Sequence, residues 1–281
     1  FTFLESVMSL RSTFKTLMTC LVTLIVMTLI NALSPLIGLF NFIGMDDVGY
    51  VAFHVLILVL TSIIFILWIK KGFKADLNDY RITAPYLKVE WFLISLVGIG
   101  LMYLLFNILT NGKWEFNNGN LFLLTIVILI TSLTTAISEE LFFRGFLMGY
   151  IEKKTNINFS LIITSFLFGA VHLMNGVDNL KTLFLVITGI FIAGIFYGLI
   201  SIYYRTIWAS ITVHFLFDST QLFDITTEKH SQSLIEYVYH SPYITITGGE
   251  YGSTVSIITM FSFLIMISII IFKKRRESNS S

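Results

Sequence analysis

Residues 121–144 read LFLLTIVILITSLTTAISEELFFR. The first seventeen positions, through Ile137, carry no charge. Two carboxylates then arrive side by side, Glu139 and Glu140, with Arg144 four residues after the second. An apolar run of this length reads as a membrane span, which needs about 20 such residues. A charge at membrane depth costs roughly 2.5–3.5 kcal/mol even on insertion scales. Three charges in six positions therefore need partners, a wet cavity, or both.

Working outward, the composition agrees. Of 281 residues 56% are hydrophobic and 12% charged, and mean hydropathy is +0.84. Soluble chains carry about 25% charged residues. A surface this apolar needs lipid as its solvent. The expected fold class is all-α: a polytopic membrane protein with about eight transmembrane helices and both termini cytoplasmic. The spans are expected near 14–40, 48–69, 89–109, 121–151, 159–174, 180–204, 207–223 and 254–272. Residues 1–13 suit an interfacial amphipathic helix, and Asn31 with Ser34-Pro35 suggests a kink in the first span. No cleavable signal sequence is evident, so that first run is expected to be a retained span. Segments 111–120 and 224–253 read as a polar turn and a long loop. The fourth span is long for one crossing and must tilt, bend or project. On the sixth, Gly194 and Gly198 at i, i+4, with Gly189 and Ala193, invite a closely packed neighbour.

The basic residues set the orientation. Arg11 and Lys15, the 70–88 loop, Lys153-Lys154, Arg205, and Lys273 to Arg276 fall on alternate sides of eight spans from loops that are acidic or neutral. The net charge of +1 leaves no field to recruit nucleic acid. A single cysteine, Cys20, excludes an intramolecular disulfide and a multi-cysteine metal site. We expect one membrane-embedded domain over 1–281, with a catalytic core at 121–223, in the cell membrane as a multi-pass protein.

Three intramembrane clusters carry the chemistry. Glu140 and Arg144 share a helix face at i, i+4 and can neutralise each other. Glu139 points about 100° away, which leaves a carboxylate to activate water. His172 lies on the fifth span with Phe168, and His214 and Asp218 share a face of the seventh at i, i+4. Aspartate could orient the histidine, or both could bind a metal. His54, His230, His240 and Asn107 read as packing or loop groups. Depth presents a conflict. At about 1.5 Å per residue, Glu139 and His214 lie roughly 18 and 12 Å from the cytoplasmic ends of their spans. His172 lies roughly 21 Å along its own. One level requires the fifth helix to start deep or the 151–158 connection to dip.

Glu139-Glu140-x-x-x-Arg144, then Phe168-x-x-x-His172, then His214-x-x-x-Asp218, in order on successive late spans, resembles the signature of the CAAX protease and bacteriocin-processing family (CPBP, or Abi) of intramembrane proteases. The resemblance implies an eight-helix endopeptidase acting on a membrane-associated or lipidated peptide. In a bacterium, peptide processing or bacteriocin self-immunity is the setting it implies. It further implies that Glu139 activates water with His172, that His214 and position 218 stabilise the oxyanion, and that Glu140 and Arg144 hold the site. Position 218 is Asp where the best understood enzymes have Asn. An ionised carboxylate repels an oxyanion, so Asp218 is protonated, or orients His214, or marks a metal. No cofactor is expected; zinc, if present, would fall to Glu139, His172, His214 and Asp218. The expected partners are membrane lipid and a peptide or lipidated protein substrate, with no nucleic acid. A non-catalytic immunity or scaffold protein on the same fold is the alternative. An ion-coupled transporter is a weaker one, since repeated halves with broken helices are absent.

Overall fold

Each long apolar run becomes a helix, because only a helix satisfies the backbone of a single segment in lipid. The computed structural model describes residues 10–31 and 46–280. Expectations for an interfacial helix before residue 10 and for a kink at Ser34-Pro35 fall outside the described residues. The helices are α1 (Leu10–Asn31), α2 (Asp46–Leu67, extended by a π-helical turn Trp68–Gly72), α3 (Val89–Leu109) and α4 (Leu121–Glu140). A π-helical stretch, Leu141–Leu147, and a last turn, Met148–Glu152, continue α4. Then come α5 (Ile157–His172), α6 (Leu180–Tyr204), α7 (Ile207–Asp218) and α8 (Ile257–Ser280). Among the described residues, five stretches are long and apolar enough to cross a membrane: Val48–Gly72, Val89–Leu109, Leu121–Glu152, Leu180–Tyr204 and Gly249–Asn279. Ile157–His172 is a shorter apolar helix.

Polar side chains start several of these helices. Asn120, Asn156 and Asn179 each accept a backbone N–H three residues on, from Leu123, Phe159 and Thr182. Thr206 caps α7 by accepting from the Trp208 N–H. Such caps contribute about 1 kcal/mol each.

The chain is not all-α. Segments expected as a turn and a loop pair as a three-stranded sheet, in the order β1 (Lys113–Phe116), β3 (Ile235–Val238), β2 (Phe223–Thr226). β1 runs antiparallel to β3, with Lys113 opposite Val238, and β2 runs parallel to it. Each strand has only four residues, too few for alternation to stand out, and β1 lies more than a hundred positions from its partner β3. Tyr237 anchors the sheet to the end of α3. Its hydroxyl donates to the Thr110 carbonyl (3.0 Å) and accepts from the Gly112 N–H (3.0 Å).

The sheet and the 219–256 segment occupy one end of the bundle. The basic loops occupy the other, where Lys153 pairs with Asp79 at 2.9 Å, Arg81 with Glu152, and Lys273 with Glu90. There the Ile207 N–H donates to the Arg81 carbonyl (2.9 Å), so the 78–82 turn covers the α4 end.

Glycine sets the closest helix approach. A Cβ on Gly194 would lie 3.0 Å from Ser165 Cα, and one on Gly169 3.0 Å from the Ile187 carbonyl oxygen. The α5 and α6 backbones therefore meet reciprocally, as small residues permit. Gly194→Val is expected to destabilise the protein by about 1–3 kcal/mol through overpacking. A thermal unfolding midpoint in detergent equal to wild type would disprove that.

Candidate active site

The site forms where α4 changes from α to π winding. Glu140 ends the α-helical part, and Arg144 sits inside the π stretch. Such insertions recur at functional sites because they redirect side chains. All seven residues Leu141–Leu147 are buried, so the widened turn sits wholly in protein.

Glu140 and Arg144 are 0% and 1% exposed, and Arg144 Nη1 donates to Glu140 Oε1 at 2.7 Å. The self-compensating pair expected from their spacing is present. Arg144 Nη2 also donates to the Gly194 carbonyl (3.3 Å), at the point where α5 and α6 meet most closely. Its guanidinium lies 4.3 Å from the Phe168 ring centroid and 5.3 Å from that of Tyr197. Aromatic faces attract a desolvated cation by about 2 kcal/mol.

The pair does not close on itself. His214 Nδ1 lies 2.9 Å from the same Glu140 Oε1. Glu140 carries the negative charge of the Arg144 pair, so it accepts and the Nδ1–H donates. Tyr197 stacks on the His214 ring at 4.5 Å and 16°, and Phe168 meets it edge-on at 6.1 Å. The ring is thus held by a stacked Tyr197, an edge contact with Phe168 and the bond at Nδ1. Its Nε2 faces Glu139 Oε2 at 3.8 Å and Asp218 Oδ2 at 3.5 Å. Glu140, rather than Asp218, orients His214.

His172 stands apart. Its Nδ1–H donates to the Phe168 carbonyl one turn back, at 2.7 Å. Among the described residues no ion pair or hydrogen bond joins it to Glu139 or His214. Phe168 meets Arg144 and His214, and His172 lies one turn further on along the same helix. There the Tyr251 hydroxyl donates to the His172 carbonyl.

A cavity of about 220 Å³ connects these groups, with His172, Tyr197, His214 and Asp218 on its wall. Phe168, Phe217 and Phe263 line its apolar part, and Asp224, Tyr251 and Thr254 its polar end. Glu139 is not among its lining residues, and its Oε2 lies 3.8 Å from His214 Nε2 on that wall. Burial raises the Asp224 carboxyl above the usual range, while His230, 3.1 Å away, acts in the opposite direction.

The four residues offered for zinc are not gathered as ligands. Among the described residues no three His, Cys, Asp or Glu side chains are set to hold a metal ion. His172 Nδ1 is engaged by its own helix and His214 Nδ1 by Glu140, which leaves the Nε2 atoms as the donors either ring could offer a metal.

Residues 121–220 match the family model described as Type II CAAX prenyl endopeptidase Rce1-like. The matched segment is similar to that family. The match spans all three motifs and bears out their resemblance to the CAAX protease family. We found no match among curated proteins or among solved structures. Within the matched segment, Tyr197 is the site residue that motif reading missed. Its signal was a phenol three residues after Gly194 and just before Gly198, a polar tip on the small-residue face of an apolar helix.

Proposed function

We propose that this protein is an intramembrane endopeptidase that hydrolyses a membrane-associated or lipidated peptide with a water activated by Glu139. The chain Arg144–Glu140–His214, with Glu139 at the free edge of His214, is the observation that carries this reading. Peptide hydrolysis needs a base for water, donors for the tetrahedral oxyanion, and a site that limits bulk water. Glu139 accepts the proton of the attacking water as its oxygen bonds to the scissile carbonyl carbon. The same carboxyl returns that proton to the leaving amine as the C–N bond breaks. His172, whose Nδ1–H is held by its own helix, offers Nε2 to the water. His214 presents Nε2–H to the oxyanion when doubly protonated, with the Glu140 carboxylate on Nδ1 as counter-charge. Arg144 and Glu140 hold the ring in place. On this reading the chain crosses the cell membrane eight times, with α5 and α7 as short crossings and both termini cytoplasmic.

Asp218 tests the oxyanion assignment. A protonated carboxyl donates as an amide does; an ionised one repels. Asp218→Asn is expected to keep cleavage and extend it to higher pH, where wild type loses the proton. Asp218→Ala is expected to lose about 10²-fold, the scale for one oxyanion donor. Initial rates across pH in proteoliposomes decide this. An Asn variant as impaired as the Ala variant would remove Asp218 from the oxyanion site.

The second reading is a peptide-binding immunity or scaffold protein on the same fold. Asp218 favours it, because a binder needs no oxyanion donor. Purified protein in liposomes, incubated with membrane-anchored peptides and analysed by mass spectrometry, separates the two. Products from wild type support the peptidase; saturable binding without products supports the scaffold.

A further inference from the structure

We infer that the substrate reaches the site from the end of the bundle opposite the basic loops, and so is a peptide presented on the outer side of the membrane. This rests on the peptidase reading for what happens to the peptide, but not for where it enters. The polar end of the catalytic cavity is built by Thr220, Gln221, Asp224, Tyr251, Ser253 and Thr254, all from the sheet end. A second cavity of about 310 Å³ shares Asp224, Ile225, Tyr251, Ser253 and Thr254 with it. Five common wall residues set the two cavities side by side, in line from the Phe217 and Phe263 floor out to His230 and Glu250.

The other end is closed among the described residues. Between the site and the basic face lies the buried stretch Leu141–Leu147 with Met148 to Ile151. The 78–82 turn packs against it so tightly that a Cβ on Gly149 would lie 2.7 Å from the Tyr80 ring, and one on Gly145 3.2 Å from Ile82. The pairs of Lys153 with Asp79 and of Arg81 with Glu152 hold that cover down. A cavity on this face, about 560 Å³, is walled by residues such as Arg81, Glu152, Arg205 and Lys274 and shares none with the catalytic cavity.

Charge gives the two ends their sides. Lys70, Lys71, Lys74, Arg81, Lys88, Lys153, Lys154, Arg205 and Lys273 to Arg276 belong to the covered end. The open end carries Lys113, Lys181 and Lys229 against Glu115, Asp178, Asp224, Glu228, Glu236 and Glu250. Excess Lys and Arg beside spans marks the cytoplasmic side, so the open route faces outward. A prenylated protein presented from the cytoplasm would meet the closed end. The occupant that fits is a peptide on the outer side, its apolar residue on the phenylalanine floor and its backbone along the hydroxyl and amide groups of Thr220, Gln221, Ser253 and Thr254.

The test uses single cysteines in a Cys20→Ser background and a membrane-impermeant maleimide. Thr254→Cys, exposed on the wall of both cavities, is expected to react in right-side-out vesicles. Lys154→Cys, exposed at the basic end, is expected to react only in inside-out ones. Gln221→Cys, exposed on the first cavity, gives a second reading of the open end. Labelling at Thr254→Cys is expected to slow cleavage of a membrane-anchored peptide at least tenfold relative to the same variant unlabelled; labelling at Lys154→Cys is not. Thr254→Cys and Gln221→Cys reacting only in inside-out vesicles would overturn the assignment of sides. Outside labelling that leaves cleavage unchanged would overturn the route. If no preparation cleaves peptide, the peptidase reading falls while the labelling still decides the side.

Discussion

Glu139→Gln is expected to lower peptide cleavage by about 10³-fold or more while leaving the fold intact. General acid–base catalysis contributes about 10²–10⁴-fold, and the amide can neither take the proton from water nor return it. The fold is spared because Glu139 stands outside the buried ion pair. Its side chain is 19% exposed, and His214 Nε2 is 3.8 Å away, beyond hydrogen-bond reach. Gln keeps the shape and removes only the charge. Single-turnover cleavage in proteoliposomes, paired with the thermal midpoint in detergent, reads the two consequences separately. Unchanged cleavage would end the role of Glu139 as the base. An unfolded variant would mean that its charge is structural.

What could be read in advance follows the range of the interactions. Apolar runs and basic flanks are local, so the limits of α3 and α6, residues 89–109 and 180–204, are where hydropathy places them. The Glu140–Arg144 pair is equally local, since i, i+4 on one helix defines the contact. The sheet was not legible, because four-residue strands are specified by partners on distant segments, as Lys113 is by Val238. The link from Glu140 to His214 was missed for the same reason. It joins residues 74 positions apart, and the motif gave each an equally good partner nearby, Arg144 for one and Asp218 for the other. His172 is an intermediate case: its motif places it in the site and it lines the cavity with His214 and Asp218, while the turn count along α5 sets it one turn beyond Phe168. Tyr197 belongs to no motif. Only packing, with its ring flat on His214 and beside Arg144, identifies it.

Arg144→Met is expected to do the most damage to the protein itself. It removes the only cation paired with Glu140 on α4 and leaves a carboxylate at 0% exposure. Breaking one side of a buried pair costs about 3–5 kcal/mol, a large share of the 5–15 kcal/mol that typically holds a domain together. The Gly194 carbonyl loses its donor and Phe168 its cation in the same step. Arg144→Lys is not expected to rescue, because an ammonium cannot bridge Glu140 and Gly194 while stacking on Phe168. The double variant Glu140→Gln with Arg144→Met separates charge from shape. With no ion left to bury, it should regain most of the lost stability, as apolar replacements of buried pairs often do. It should not regain cleavage, because a neutral amide no longer supplies the counter-charge that His214 needs to present Nε2–H. The thermal midpoints of wild type, both single variants and the double variant form a cycle. Additive losses would mean that Glu140 and Arg144 act independently. A double variant that cleaves at the wild-type rate would mean that the pair does not work through His214.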